Sequence, residues 1–338
     1  MKVMEVAGGW GFEHLRPGER PDPKPGPGEI VLRMKAASIN YRDFLMVQGG
    51  YGSRGGGLPL IPLSDGVGTV EAIGPGVTRV KIGDRVCPTF FQSWLSGPPS
   101  AEHFSRPLGG PLPGTMQELM LLPAEGVVPA PEHMTDAQAA SLNCAGLTAW
   151  SAVVAQADVK PGDVVLVQGT GGVSMFALQF AKLRGASVIA TSSSELKLEK
   201  ARALGADWLV NYRETPEWGK RARELTGGRG VDLVVEVGGA GTLRESVRAT
   251  GIGGTIALIG VLSGAATEFN LAHVVMQNIR LQGVTVGSRA MFDEMARAMA
   301  AHATEPAVDE RVFAWTDVRE ALEALPLGLH FGKTCLLF

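Results

Sequence analysis

The run Val164-Val165-Leu166-Val167-Gln168-Gly169-Thr170-Gly171-Gly172-Val173-Ser174 constrains this chain more than any other stretch. Four apolar residues in succession read as a strand buried on both faces, the situation of a parallel sheet covered by helices. The glycines lead straight into a helical segment at 173–183. Gly169 suits the tight turn and Gly171 lets backbone approach a pyrophosphate. The helix opening near Gly172 then offers free N–H groups to phosphate oxygens, with Thr170 and Val173 completing the loop. The third small position is Ser174 instead of glycine, which still keeps helix and strand close. An ordinary strand-to-helix turn would carry similar glycines, so the pattern of the remaining chain decides between the two.

That pattern is repetitive. Apolar runs at 187–190, 208–210, 231–235, 255–259 and 281–286 alternate with helical segments, the most charged of them at 195–204. Such an order predicts an α/β domain, a Rossmann-type doubly wound parallel sheet. The first third of the chain has another texture. Short β-type runs at 30–34, 68–73 and 85–87 are separated by turns such as Pro25-Gly26-Pro27-Gly28 and Gly74-Pro75-Gly76, as in a small β-rich barrel. Residues 91–114, rich in Gly, Pro and Ser, read as a long surface loop. Helical patterns at 292–301 and 318–325 and a last strand at 334–338 close the chain. Its 338 residues are enough for two cores.

Composition excludes several classes. A net charge of -3 with no basic run argues against a nucleic-acid partner. Cys87, Cys144 and Cys335 lie far apart, without the pairing of a disulfide framework or a structural zinc site. Residues 1–10 lack a basic region followed by an apolar core, so no secretory signal is expected and the cytoplasm is the default address. The least charged stretch, 139–157, contains Ser141, Asn143, Thr148 and Gln156 and reads as buried helix, with no membrane partner expected.

The end of the second apolar run bears on cofactor choice. Sites for NAD place Asp or Glu there, about 20 residues past the glycines, on the ribose 2′-hydroxyl. Here the position reads Thr191-Ser192-Ser193-Ser194. Hydroxyls and the nearby Lys197 suit a 2′-phosphate, which a carboxylate would repel, and the balance favours NADP(H). The serines also suit a helix cap, and both roles are compatible. Glu195 lies past the strand end, where it suits the helix N-terminus.

Several strings resemble the medium-chain dehydrogenase/reductase superfamily: Ser38-Ile39-Asn40-Tyr41-Arg42-Asp43, Gly83-Asp84-Arg85-Val86, Ala145-Gly146-Leu147-Thr148-Ala149-Trp150, Ala203-Leu204-Gly205-Ala206-Asp207, Val210-Asn211-Tyr212-Arg213 and His330-Phe331-Gly332-Lys333. They keep the family's order over nearly the whole chain, and the chain resembles its zinc-free quinone oxidoreductase-like branch. The resemblance implies a GroES-like catalytic domain at 1–122, completed by 289–338, and an NADP-binding Rossmann domain at 123–288. Nicotinamide and substrate are expected in a cleft between the two. It implies that Lys197 and Tyr212 contact the 2′-phosphate, that Thr148, Val261 and Leu262 line the nicotinamide side, and that Val237 belongs to the cofactor cleft. Lys333 matches a basic residue near the cofactor, although a solvated surface lysine fits equally. A homodimer, formed by pairing the strand near 281–286 across a two-fold axis, is also implied.

Zinc enzymes of the superfamily use a Cys, a Gly-His-Glu string and a second Cys. Those positions match Asn40, Leu63-Ser64-Asp65 and Cys144, leaving one thiolate where three ligands are needed. No zinc is therefore expected. Without a metal a carbonyl is polarised by hydrogen bonds, which suits a conjugated electrophile such as a quinone or an α,β-unsaturated carbonyl. Asn40, Tyr41 and Asp43 sit where the family builds the floor of the site. Tyr41 or solvent could supply the proton, and Asn40 could fix nicotinamide or oxygen, while Asn40 and Asp43 could instead only order a loop. An alcohol or aldehyde dehydrogenase and a nucleotide-binding redox sensor stand as alternatives.

Overall fold

In the computed structural model, which describes residues 1–268 and 270–338, the two sequence textures become two compact units: 1–147 with 287–338, and 148–286. Unit 1 begins with an antiparallel pair, β1 (Lys2–Val6) and β2 (Leu15–Glu19). Its main sheet is built on β3 (Glu29–Ser38), followed by the helix α1 (Tyr41–Val47) and by β4 (Asp65–Ile73), β5 (Arg85–Pro88), β6 (Leu119–Pro123) and β7 (Val127–Pro129). β4 and β6 both pair antiparallel with β3, and Ile30, Leu32, Met34, Val70, Val86 and Met120 share one core cluster. A short helix, α2 (Asp136–Ala140), is capped by Thr135, whose side chain accepts from Gln138 N. Residues 123–147, which the resemblance placed in the second domain, fall in unit 1, where β7 pairs with β5.

Unit 2 opens within α3 (Leu147–Trp150) and continues as β8 (Val164–Gln168), α4 (Gly172–Leu183), β9 (Ser187–Ser192), α5 (Glu195–Ala203), β10 (Trp208–Asn211), α6 (Trp218–Leu225), β11 (Val231–Glu236), α7 (Leu243–Ala249), β12 (Thr250–Leu258), α8 (Leu271–Met276) and β13 (Arg280–Gly283). The six strands are parallel in the order β10-β9-β8-β11-β12-β13. Every residue of β8 is buried, which accounts for its uninterrupted apolar run. The order reverses between β8 and β11, and ligands of such sheets bind at that switch point, outside the C-terminal strand ends.

The chain then returns to unit 1 with α9 (Arg289–Ala301), β14 (Phe313–Ala314), α10 (Val318–Ala324) and β15 (Cys335–Leu337). Ser288 caps α9, which buries Phe292, Met295, Ala296 and Met299, the spacing of one helix face. β15 pairs antiparallel with β3, placing the last strand beside the first long one.

Residues 91–114 form the expected loop, exposed at 96–102 and 104–106, but its ends are anchored in the core. Phe91, Trp94 and Leu108 are buried, and Phe91, Trp94 and Phe104 form an aromatic cluster with centroids 5.1 to 6.1 Å apart. The Gly/Pro/Ser content that suggested exposure supplies the turns between these rings. Among the described residues, no helix is long and apolar enough to cross a membrane.

Candidate active site

The glycine-rich turn of unit 2 takes the geometry its glycines allow. Gly169 has φ +68°, left-handed backbone that favours glycine. Gly171 is the extended N-cap of α4, followed by Gly172 and Val173 in the first turn. Ser174, in place of the third glycine, is buried and donates its hydroxyl to Gln168 O at 2.6 Å, tying the helix start to the strand end. Thr170 is buried beside it.

The neighbouring strand ends bring together residues separated in sequence. Asn211 stands opposite Ser192 in the β9–β10 register, and Tyr212 N donates to Ser192 O at 3.1 Å. Ser194 caps α5 by accepting from Lys197 N at 3.5 Å, and Ser192 Oγ accepts from Ser194 N at 3.3 Å. Ser193, half-buried, lies between them. The Glu195 carboxylate is engaged by Asn211 Nδ2 at 2.6 Å. The end of β9 thus carries hydroxyls and no carboxylate, with Lys197 in the first turn of α5 and Tyr212 just past β10.

At the end of β11 the buried Glu236 carboxylate accepts from Gly238 N, Gly239 N, Thr242 Oγ1 and Gln168 Nε2, at 2.6 to 2.9 Å, and from Ser246 Oγ. These bonds shape the turn that carries Val237. Within unit 2, Thr148 is buried, whereas Val261 and Leu262 are 58% and 54% exposed. Unit 2 thus combines a glycine turn at Gly169 to Val173 with Ser192, Ser193, Lys197 and Tyr212 around the end of β9.

Unit 1 holds a buried polar cluster at the start of α1. Asp43 Oδ2 accepts the Asn40 backbone N–H at 2.8 Å, ordering the first turn, and Arg42 Nη1 lies 3.3 Å from Asp43 Oδ1. Arg42 also donates to Leu108 O at 3.0 Å and lies over the rings of Phe90 and Tyr51. Sequence reading passed over Arg42; its neighbour Asp43 was the only local signal. Tyr41 is 39% exposed and stacks on Phe44, its centroid 5.7 Å away.

The start of β4 is set by Leu63, a buried residue with φ +67°, a strained conformation for a branched side chain. Only glycine fits at Gly114, where a Cβ would lie 2.1 Å from Leu63 O. Beyond Leu63, Asp65 is fully buried: it accepts from Ser64 Oγ at 2.7 Å and from Cys144 N at 3.2 Å.

Lys333 departs from the solvated surface lysine that was one of its two expected places. It is 3% exposed, and Nζ points into unit 1, donating to Ile39 O at 2.8 Å and Asn40 Oδ1 at 2.7 Å, with Asp65 Oδ2 at 3.4 Å. The physical reason is Asp65, a buried carboxylate that needs a buried cation. Asn143, also missed, is buried and bridges Gly66 O and Pro88 O through Nδ2.

This chemistry does not fit zinc. Asn40 Oδ1 and Asp65 Oδ2 both face an ammonium group, which would repel a divalent ion. Burial first, and then the Asp65 charge, push the Cys144 thiol well above its ordinary range, against the thiolate a metal requires. Among the described residues, no three His, Cys, Asp or Glu side chains are grouped to hold a metal.

Asp43 gives the cluster a pH signature. Burial raises its carboxyl to about 6, helped by Asp65 and opposed by Arg42, Lys333 and the Asn40 N–H. A carboxyl raised on folding contributes stability that is full below about pH 4 and is lost as pH rises through about 6. The unfolding free energy of the wild type relative to Asp43→Asn should therefore fall between pH 4 and 6.5, by an amount on the order of 1–3 kcal/mol. Parallel curves for the two proteins would refute this role.

Comparison with known proteins agrees with both units. Residues 26–132 match the family described as "Alcohol dehydrogenase GroES-like domain", and residues 172–301 match "Zinc-binding dehydrogenase". A zinc-type alcohol dehydrogenase-like protein of Schizosaccharomyces pombe is 40% identical over 333 residues, 96% of each chain. A 2-haloacrylate reductase of a Burkholderia species is 33% identical over 253 residues, 74% of this chain and 70% of the other. The crystal structure of an NAD-dependent alcohol dehydrogenase superposes with a TM-score of 0.91 at 36% identity, covering 100% of both chains. With both halves matched in order and a relative this similar along its whole length, the chain belongs to the medium-chain dehydrogenase/reductase superfamily of oxidoreductases.

Proposed function

We propose that this protein is a zinc-independent, NADPH-dependent reductase of conjugated carbonyl compounds, quinones or α,β-unsaturated ketones and esters. The observation that carries the reading is the Lys333 ammonium on Asn40 and Asp65, where a metal-dependent relative would need anionic or neutral ligands free for the ion. The similarity to a 2-haloacrylate reductase, whose name describes reduction of an activated double bond, points the same way.

NADPH, when bound, would supply a hydride to the carbon β to the substrate's carbonyl, and the carbonyl oxygen would take the resulting negative charge as an enolate. Proton addition at the α carbon, from solvent or Tyr41, then gives the saturated product. Asn40 stabilises the charged oxygen with its amide N–H, and Asp43 orders the helix start that presents it. In unit 2, Ser192, Ser193, Lys197 and Tyr212 select the phosphorylated ribose. Zinc-type relatives favour a second reading, dehydrogenation of a simple alcohol.

The deciding experiment follows NADPH and NADH consumption with cyclic enones, quinones and simple aldehydes, with and without chelator, alongside metal analysis of the purified protein. Enone or quinone turnover that prefers NADPH and ignores chelator is expected. Stoichiometric zinc, with activity confined to simple alcohols and aldehydes, would overturn the reading.

A further inference from the structure

We infer that Lys333 is a positioning residue that fixes the Asn40 side chain, so that its amide N–H2 is presented as a permanent donor to the substrate's carbonyl oxygen. The inference rests on the conjugated-carbonyl reading above and adds to it the device that aims the donor.

A side-chain amide has an acceptor end and a donor end of nearly equal shape, and its surroundings decide which way it turns. Here the choice is forced by charge. Nζ of Lys333 donates to Asn40 Oδ1 at 2.7 Å, and a flipped amide would put N–H2 against the ammonium in a buried place. The ammonium is itself immobile: Ile39 O accepts from it at 2.8 Å and Asp65 Oδ2 lies 3.4 Å away. Asp65 is held in turn by Ser64 Oγ and Cys144 N. The one polar end of the network without a protein partner is Asn40 Nδ2, a covered atom with no hydrogen bond to any described residue.

A buried donor without an acceptor is unfavourable, and native proteins keep few of them without a functional reason. An oxygen that becomes negative during hydride transfer answers that description, because a prearranged donor gains most when charge develops on its acceptor. The same logic explains a lysine here, since a neutral residue at 333 would remove the charge that disfavours the flipped amide.

The test is a double-mutant cycle read at saturating NADPH with a cyclic enone. Asn40→Ala should lower kcat on the order of 100-fold. Lys333→Met should lower it about tenfold, with KM nearly unchanged, since the loss appears as charge develops. Added to Asn40→Ala, Lys333→Met should cost less than about twofold, because its effect passes through the amide. Lys333→Met/Asp65→Asn, which removes both charges, guards against loss of fold and should show the same fall in kcat.

Equal losses from Lys333→Met in both backgrounds, or an unchanged kcat in Asn40→Ala, would overturn the inference. A wild type that reduces no enone or quinone would sink the functional reading instead. The Lys333–Asn40 coupling is then read from protein carrying 15N-labelled asparagine side chains. The Asn40 amide should give one fixed pair of signals in the wild type and a shifted or doubled pair in Lys333→Met/Asp65→Asn. Identical signals in both proteins would reject the coupling.

Discussion

Asp65→Ala should destabilise unit 1 by about 3–5 kcal/mol, the loss typical when one partner of a buried ion pair is removed and the other charge stays. Both members qualify as buried, Asp65 at 0% and Lys333 at 3% side-chain exposure. The substitution also strands the Ser64 hydroxyl and the Cys144 backbone N–H, which donate to the same carboxylate. Adding Lys333→Met should recover part of the loss, because the uncompensated ammonium leaves with it. Thermal or denaturant unfolding of the four proteins in the cycle measures this. A loss under about 1 kcal/mol for Asp65→Ala would mean that water reaches the pair and the network is not sealed.

Ser193→Asp should swing cofactor preference toward NADH by about 100-fold in the ratio of kcat/KM values, equivalent to about 2.7 kcal/mol. Ser193 follows the last residue of β9, at the strand end where Tyr212 N meets Ser192 O. A carboxylate there would repel a 2′-phosphate and accept from a 2′-hydroxyl. Ser193 is half-buried and neither caps α5 nor lies within a strand, so the exchange should leave the fold intact. An unchanged ratio would show that phosphate recognition lies elsewhere.

How much of this was legible beforehand depends on how local each feature is. The strand, turn and helix around Gly169 were legible because buried parallel strands and phosphate turns write themselves into contiguous residues. The Ser174 departure was also interpretable, and its hydroxyl proves to tie helix to strand. Lys333 was not legible. It meets Asp65 across 268 residues of chain, and no local pattern distinguishes a lysine bound to a buried carboxylate from one in solvent. The string Leu63-Ser64-Asp65 held a clue, since an acidic residue opening an apolar strand needs a partner. Reading that string only for a missing histidine hid it. Arg42 was lost for the opposite reason: its partners are backbone carbonyls at Leu108 and Gly110, which carry no signature in side-chain chemistry. The loop at 91–114 was legible but its buried anchors were not, because turn-forming residues report backbone conformation, while burial there depends on Phe91, Trp94 and Leu108.

Because unit 1 is assembled from two separated segments, synthesis and folding are out of step. Residues 148–286 are contiguous and leave the ribosome as a complete folding unit, whereas β3 waits for its neighbour β15 until almost 190 further residues of chain after Leu147 have emerged. Throughout that interval Asp65 has no cation to meet, so the nascent first segment should stay loosely packed and open to chaperones. The pairing of residues 65 and 333 therefore closes only on chains translated through to the lysine.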